Sequence, residues 1–523
     1  MKKVLLSIAA GALCATAFAG GLLTNTNQNV HFLRNPARDA STEIDAVYSN
    51  PAGLSFLEND GLTLSLNNQS AFQTRTVSTT FAPFAMNGGS ATKEYEGKAK
   101  AWFIPSLQAA YKLDKWVFSG SFAVVGGGGT LKYDNGLPSF EALVVSQIAE
   151  PLTQLSQASG VPAGYSLDMN LEGSSITYGV QLGVNYKIND IFSAFVGGRI
   201  SIVKNGYDGY LRNVQITNAT ALKNYFTNAA AQAQAAADKF APYVGTYGSF
   251  PLSAAVGANL ISAEEFTQLA AGLGMSEAEA GALTVAQAQS AFTSAAAQAG
   301  GAAAGVTQLE NGVSNINMEI ETKQSGWGIA PILGVDVNYE KLNIGLKYEF
   351  KTNITLENDT KKDNTGMFLD KGKTPYDIPA LLTAGLSYKF LEDKLIASVG
   401  YHLFFDKDAD MQNDKQTKLD VNSYEATAGL EYRINKMFLV SAGGQISRYG
   451  LTDGFQSDMS FNCNSYSVGL GGEINITEKL SVNLAYLFTK YADYTQNNPY
   501  GAGSKNVFAR TNNSFGIGLD YKF

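Results

Sequence analysis

From Phe515 to Phe523 the chain places an apolar or aromatic side chain at every second position (Phe515, Ile517, Leu519, Tyr521, Phe523), with Gly516, Gly518, Asp520 and Lys522 between them. A period of two gives a strand one greasy and one polar face. Ending the chain on that phenylalanine is the habit of bacterial outer-membrane barrels, so Phe523 is expected to be read by the barrel-assembly machinery. Soluble strands share the alternation, and the rest of the chain has to carry the assignment.

The other terminus agrees. Met1, Lys2 and Lys3 precede an apolar run from Val4 to about Ala15, followed by Ala17-Phe18-Ala19. The run is too short to span a bilayer, and small residues two apart suit cleavage after Ala19, so residues 1–19 read as a secretory signal peptide. Leu13 before Cys14 is too bulky for a lipoprotein cleavage site. Removing the signal leaves Cys463 as the only cysteine, which rules out an internal disulfide framework and a multi-thiolate metal site. Beyond the signal no apolar stretch reaches membrane-helix length. The chain is therefore periplasmic, secreted, or a barrel.

Composition favours the barrel. Charged residues make up 16%, against roughly 25% in soluble domains, while 53 glycines and 11% aromatics are abundant. Lipid replaces water outside a barrel, and glycine serves where its wall bends. A net charge of −8 argues against nucleic acid as a partner.

A short punctuation recurs along the chain: Tyr111 to Trp116, Tyr186 to Ile191, Tyr339 to Leu342, Tyr388 to Leu395, Tyr432 to Met437 and Ile476 to Leu480. Each reads as a tight hairpin, closed by an interfacial aromatic or apolar residue and turned by two to four polar ones. Six hairpins supply twelve strands; a leading strand from about Leu62 and the terminal strand bring the count to fourteen. The fold class expected is all-β: a 14-stranded antiparallel transmembrane β-barrel. Between turns the alternation is clearest at Ile176-Tyr178-Val180-Leu182-Val184-Tyr186 and Leu342-Ile344-Leu346-Tyr348-Phe350, apolar outward around a polar lumen.

The alternate connections are long, as extracellular loops are. One, 133–172, holds an apolar segment with helical spacing at Phe140, Leu143, Val144, Ile148 and Leu152. The other, 213–316, is rich in alanine and carries two capping signatures, Ser262 to Glu265 and Ser276 to Glu279. Both are expected to form helices over the outer mouth, the alternative for the second being a disordered spacer. The segment 20–58 is too long for a lead-in and is expected to fold inside the barrel (59–523) as a plug.

Within that segment, Asp45-Ala-Val-Tyr-Ser-Asn-Pro-Ala-Gly-Leu-Ser-Phe56, centred on Asn50, Pro51 and Ala52, resembles the N-terminal hatch of the FadL/TodX family of outer-membrane transporters. The strand count, the two helical loops after strands three and five, and the terminal phenylalanine extend the resemblance over nearly the whole mature chain. It implies a plugged barrel in a Gram-negative outer membrane that carries long-chain fatty acids or other hydrophobic compounds passively inward. It also implies an interruption of strand three that opens the wall sideways. Gly126, Gly127, Gly128 and Gly129 stand there and could serve as that kink or as an ordinary bulge. The loop after strand five is larger and richer in alanine than the resemblance would suggest, and no headgroup motif maps onto it. Alternative readings are a porin or a receptor barrel for aromatic hydrocarbons or haem-like ligands, and a surface adhesion barrel.

Cations of inward parity are the candidates for holding a ligand's anionic end: Arg199, Lys347, Lys351 and Arg433, with Glu349 beside the lysines and Glu425 and Glu431 near Arg433. Charge pairs inside a wet lumen are the plainer explanation. Phe140 and Leu143 are added as apolar contacts. Only His31 and His402 exist; His31 falls in the plug, and His402 should face inward with Asp406 further along. No activated serine accompanies them, so no enzyme is expected. Asp406, Asp408 and Asp410 lack the glycine and glutamate of an EF-hand loop, and no Lys-Ser or Lys-Thr follows Gly129 to make a phosphate loop. No cofactor or metal is expected. The partners expected are a hydrophobic ligand, outer-membrane lipid and lipopolysaccharide, with the barrel a monomer.

Overall fold

The computed structural model describes residues 21–523; the signal-peptide reading falls on residues outside that range. Fourteen antiparallel strands close into a barrel. In chain order they are β1 (Gly61–Thr80), β2 (Thr92–Leu113), β3 (Trp116–Tyr133), β4 (Gly164–Lys187), β5 (Phe192–Thr217) and β6 (Met318–Tyr339). Then come β7 in two pieces (Leu342–Glu349, Thr355–Asp363), β8 likewise (Lys373–Pro375, Leu381–Phe390), and β9 (Leu395–Phe404). The last five are β10 (Tyr424–Arg433), β11 (Phe438–Arg448), β12 (Ser465–Asn475), β13 (Leu480–Tyr491, Tyr494–Asn497) and β14 (Lys505–Lys522). β1 and β14 pair from Thr63↔Lys522 to Thr80↔Lys505, which closes the wall and leaves no edge.

All six sequence-read hairpins join neighbouring strands through short turns. Trp116 and Tyr186 pack in a tilted pair beside one such turn with ring centroids 4.6 Å apart, and Tyr388 and Phe390 beside another, also at 4.6 Å. Outward positions carry exposed apolar side chains, Leu182 at 66% and Val196 at 61% exposure, while the alternate Gln181, Asn185 and Arg199 are buried. That sidedness is inverted relative to a soluble barrel and suits lipid outside. Among the described residues no helix is long and apolar enough to cross a membrane.

Residues 134–163 between β3 and β4 hold one helix, α1 (Pro138–Ser159). β4 resumes at Gly164, before the sequence boundary at Glu172, because Tyr165 and Met169 bury their side chains on strand parity. Residues 218–317 between β5 and β6 form α2 (Ala219–Tyr247), α3 (Leu252–Gly257), α4 (Ala263–Gly272), α5 (Glu277–Ala282) and α6 (Val285–Ser314). Capping boxes form at Ser262/Glu265 and Ser276/Glu279, and a third at Thr284/Gln287. Two-sided satisfaction of the helix's first amides explains why these starts are legible. Alanine-rich α2 and α6 pack as a hairpin whose far end is held by Phe240, Leu252, Leu269 and Phe292.

Candidate functional site: plug, recess and wall break

The stretch from Gly21 to Phe56 lies in the lumen, nearly all of it buried. Its short helices, Val30–Arg34 and Ala46–Ser49, and the 3-10 turn Pro51–Phe56 place polar groups against the inward faces of the strands. Asn29 caps the first helix by accepting the Phe32 N–H at 2.8 Å. Ile44, Ala46, Val47 and Leu54 form an apolar patch with Ala110 of β2 and Val117 of β3.

Asn50 donates to Ser41 O at 3.1 Å and to Asp336 of β6. Pro51 O accepts from Asn185, and Ala52 O from Ser193 Oγ at 2.7 Å, so the tripeptide is stitched to β4, β5 and β6. Pro51 is suited to the first turn because it lacks the N–H that would otherwise go unpaired there.

Arginine side chains dominate the plug's polar contacts, and the sequence reading missed them. Arg34 Nη1 lies 2.6 Å from Glu431 Oε1. Arg38 pairs with Asp45 at 2.7 Å, with Glu43 at 2.6 Å, and with Glu431. His31 Nε2 sits 2.9 Å from Asp520. His31, Glu43 and Asp45 also approach one another with metal-ligand spacing, but the two guanidiniums already take the carboxylate oxygens.

The expected ligand-binding cations fall into separate groups. Arg199 and Lys347 converge on Glu349, each at 2.7 Å, with the Lys347 ammonium 4.2 Å from the centre of the Tyr48 ring. His402 bridges plug and wall, Nε2 to Asp39 and Nδ1 to Glu425, both at 2.8 Å. It does not meet Asp406, whose Oδ2 accepts the Ser423 N–H at 3.0 Å. Lys351 pairs with Asp377 at 3.1 Å rather than Glu349. Arg433 faces Glu473 at 3.8 Å, since Glu425 and Glu431 are drawn to His402 and to the plug arginines. Lys347 and His402, with Arg38, Asp39 and Thr383, line a gap of only about 10 Å3 between plug and wall.

Phe140 packs into the mouth core and Leu143 is buried on α1. The neighbouring Glu141 is buried too, yet Lys93, Tyr95 and Tyr165 donate to it and hold its carboxyl below the usual range. A small apolar recess of about 40 Å3 lies elsewhere, between Leu22 and Leu23 of the plug and Tyr376, Met411, Lys415 and Phe455.

The wall is irregular beside Leu23. Pairing of β2 with β3 runs from Gly97↔Tyr133 to Ala99↔Leu131 and resumes at Leu107↔Phe122, so residues 100–106 and 123–130 make no ladder with each other. Gly127 has φ +66, and β3 is bulged against β4 at Val124/Gly126 and Gly127/Gly129. A side chain at Gly127 would collide with the Ser175 carbonyl, so only glycine fits this bend. Across it, Trp102 and Phe103 form a bulge against β1 and are 69% and 73% exposed. Pro105 has no N–H to offer a ladder. The side chains packed together at the break are apolar: Ala71, Ala101, Ile104 and Val124. The plug's N-terminal stretch covers it, with Asn25 N donating to Val125 O at 2.9 Å and Asn25 Nδ2 to Gly127 O at 2.8 Å.

Residues 280–523 match the family model described as outer membrane protein beta-barrel domain. No curated protein matches the chain. Among solved structures, it resembles a FadL homologue of Pseudomonas aeruginosa at 12% identity and TM-score 0.57, covering 96% of this chain and 100% of that one. It also resembles a deltaS2S3 mutant of TodX, a monoaromatic hydrocarbon channel, at 15% identity and TM-score 0.50, covering 95% and 99%. Identities this low speak for the fold: the chain is an outer-membrane-type β-barrel with the plugged, fourteen-stranded architecture of the FadL-type barrels.

Proposed function

We propose that this barrel moves hydrophobic compounds across the outer membrane, long-chain fatty acids foremost, and releases them sideways through its wall. One observation carries the reading: Leu22 to Asn25 belong to both ends of the route. Leu22 and Leu23 line the apolar recess at the mouth, and Leu23 and Asn25 lie against Gly126 and Gly127 at the break in the β2–β3 ladder. A greasy ligand entering the recess competes with Leu22 and Leu23 for the same apolar surface. Shifting that short stretch uncovers the break, whose apolar lining leads to Trp102 and Phe103 facing lipid. The tail is shielded from water at each step, so partitioning alone drives the passage. The TodX mutant's description as a monoaromatic hydrocarbon channel makes a small aromatic the second ligand to test.

A reversible staple tests the exit. A Cβ at Gly129 would lie 3.7 Å from that of Ala101, within the span of a disulfide; the φ of +157 at Gly129 strains any side chain there, so correct assembly of the reduced variant is the control. Ala101→Cys with Gly129→Cys should therefore cross-link β2 to β3. Cys463 stays out of this chemistry, because burial pushes its thiol up to about 11. In cells lacking their own transporter, uptake of labelled oleate should be lost in the oxidised double variant and return with reductant. Oleate or toluene entering at an unaltered rate through the oxidised, correctly assembled barrel would refute lateral release.

A further inference from the structure

Where the greasy outer face of β11 to β13 ends, the wall turns basic. Arg448 closes the outward row of β11 above Ile446, Tyr466 that of β12 above Val468, and Lys490 that of β13 above Phe488. Each stands ten residues from the short turn at the other end of its strand, at Phe438, Ile476 and Leu480. Ten residues rising about 3.4 Å each in a strand tilted about 40° climb about 26 Å, close to the height of the apolar band of an outer-membrane barrel. The short turns mark one membrane surface, so these three side chains stand at the other, on the side of the long loops.

Their arrangement is fixed by the barrel. Lys490 lies directly across from Tyr466 in the β12–β13 ladder. From the strand on the opposite side, Arg448 brings its guanidinium to 4.5 Å from the centre of the Tyr466 ring. Its Nη1 donates to Ser447 O at 2.9 Å and Ser465 O at 3.2 Å, and its Nη2 to the Tyr466 hydroxyl at 2.6 Å. The Nε–H and one Nη2 hydrogen are left for a ligand, out of five donors. Tyr424 faces Arg448 in register and stacks on Tyr401 with ring centroids 5.9 Å apart, which lengthens the aromatic row.

Neither Arg448 nor Lys490 has an acidic partner among the described residues. Elsewhere on the outer wall cations are neutralised: Lys98 by Glu96, Lys132 by Asp134, Arg212 by Asp168 and Lys361 by Glu321. Lys100 and Lys204 are also without an acid, but each stands singly, opposite Phe72 and Ile176. Only at Tyr466 do two uncompensated cations flank one ring, two strand spacings or about 10 Å apart.

We propose that Arg448, Tyr466 and Lys490 form a binding site for a phosphorylated glycolipid of the outer leaflet. Arg448 and Lys490 take its phosphate groups, the guanidinium as a fork and the ammonium as a point charge. Tyr401, Tyr424 and Tyr466 offer its sugar rings faces that are apolar in the body and polar at the tip. A phospholipid would use the cations and leave the tyrosine row idle. The site lies outside the wall and is independent of the transport reading.

The test is lipid binding by the full barrel, purified in detergent, checked for assembly by its heat-modifiable gel mobility and read by native mass spectrometry. The probes are bisphosphorylated lipid A, its dephosphorylated form and phosphatidylglycerol, and bisphosphorylated lipid A should bind best. Arg448→Gln with Lys490→Gln should weaken it about thirtyfold, and Lys490→Gln alone, a milder change at an exposed position, about fivefold. Lys98→Gln with Lys132→Gln, which removes cations that are already paired, should change it by less than about twofold. Lipid A held as tightly by both Lys490 variants as by the parent, or an equal loss in the Lys98 and Lys132 control, would overturn the site. Phosphatidylglycerol or dephosphorylated lipid A bound as tightly as the bisphosphorylated form would overturn the ligand assignment.

Discussion

The plug has two sides, and they are held in different ways. Towards β7 to β12, residues 33–40 press backbone and short side chains onto a band of inward glycines. Gly345 pairs with Gly385, Gly385 with Gly400, Gly429 with Gly443, and Gly443 with Gly469. A side chain at Gly345 or Gly385 would run into the Asp39 backbone, at Gly429 into Asn35, and at Gly469 into the Leu33 carbonyl. Arg34 and Arg38 then tie the same stretch to Glu431. Towards β3, residues 22–25 rest on a broken ladder through two hydrogen bonds from Asn25, while Leu22 and Leu23 pack into an apolar cluster with Val203, Ile354, Met411 and Phe455. Close backbone packing and buried ion pairs resist motion, whereas apolar contacts are ones a greasy ligand can take over. The contrast teaches that passage needs only the β3 side to move while the rest of the plug stays seated.

Breaking the seated side should have the largest effect. Arg38→Ala strips the shared cation from Glu43, Asp45 and Glu431, at a cost of about 3–5 kcal/mol; planar-bilayer recordings should then show steady ion conductance where the unaltered barrel is quiet. Gly385→Val, which forces the Asp39 backbone off the wall, should cost about 1–3 kcal/mol and raise protease sensitivity of the plug. Were both variants as quiet and resistant as the parent, the seated side would be no anchor and the comparison would collapse. Asn25→Ala sharpens it from the other side. Losing one hydrogen bond, about 1 kcal/mol, should speed hydrogen exchange in residues 21–28 and quicken oleate uptake, with conductance unchanged.

Much of the wall was legible in the chain. The period-two strands, six hairpin turns and two exposed capping boxes are local, and local rules predict them. Asn50-Pro51-Ala52 stood out because a distinctive tripeptide sits at a distinctive place. The plug's grip was not legible. Gly345, Gly385, Gly400, Gly429, Gly443 and Gly469 each occur at inward parity, and that recurrence was the available signal. Only cross-strand register shows that they stack into one seat. Arg433 and Glu425 illustrate the same limit: parity placed both inside, yet Glu425 turned to His402 and Arg433 to Glu473.

The amino-acid sequence alone determined a fourteen-stranded wall with lipid outside and polar groups inside, because a strand's sidedness is written in alternate residues. Tertiary structure decided which carboxylate meets which arginine, where the wall's ladder fails, and that Leu22 to Asn25 join the recess to that failure. Those contacts link residues up to 489 positions apart, as between His31 and Asp520. Such partners are chosen by barrel closure and register, and no local pattern in the chain records them.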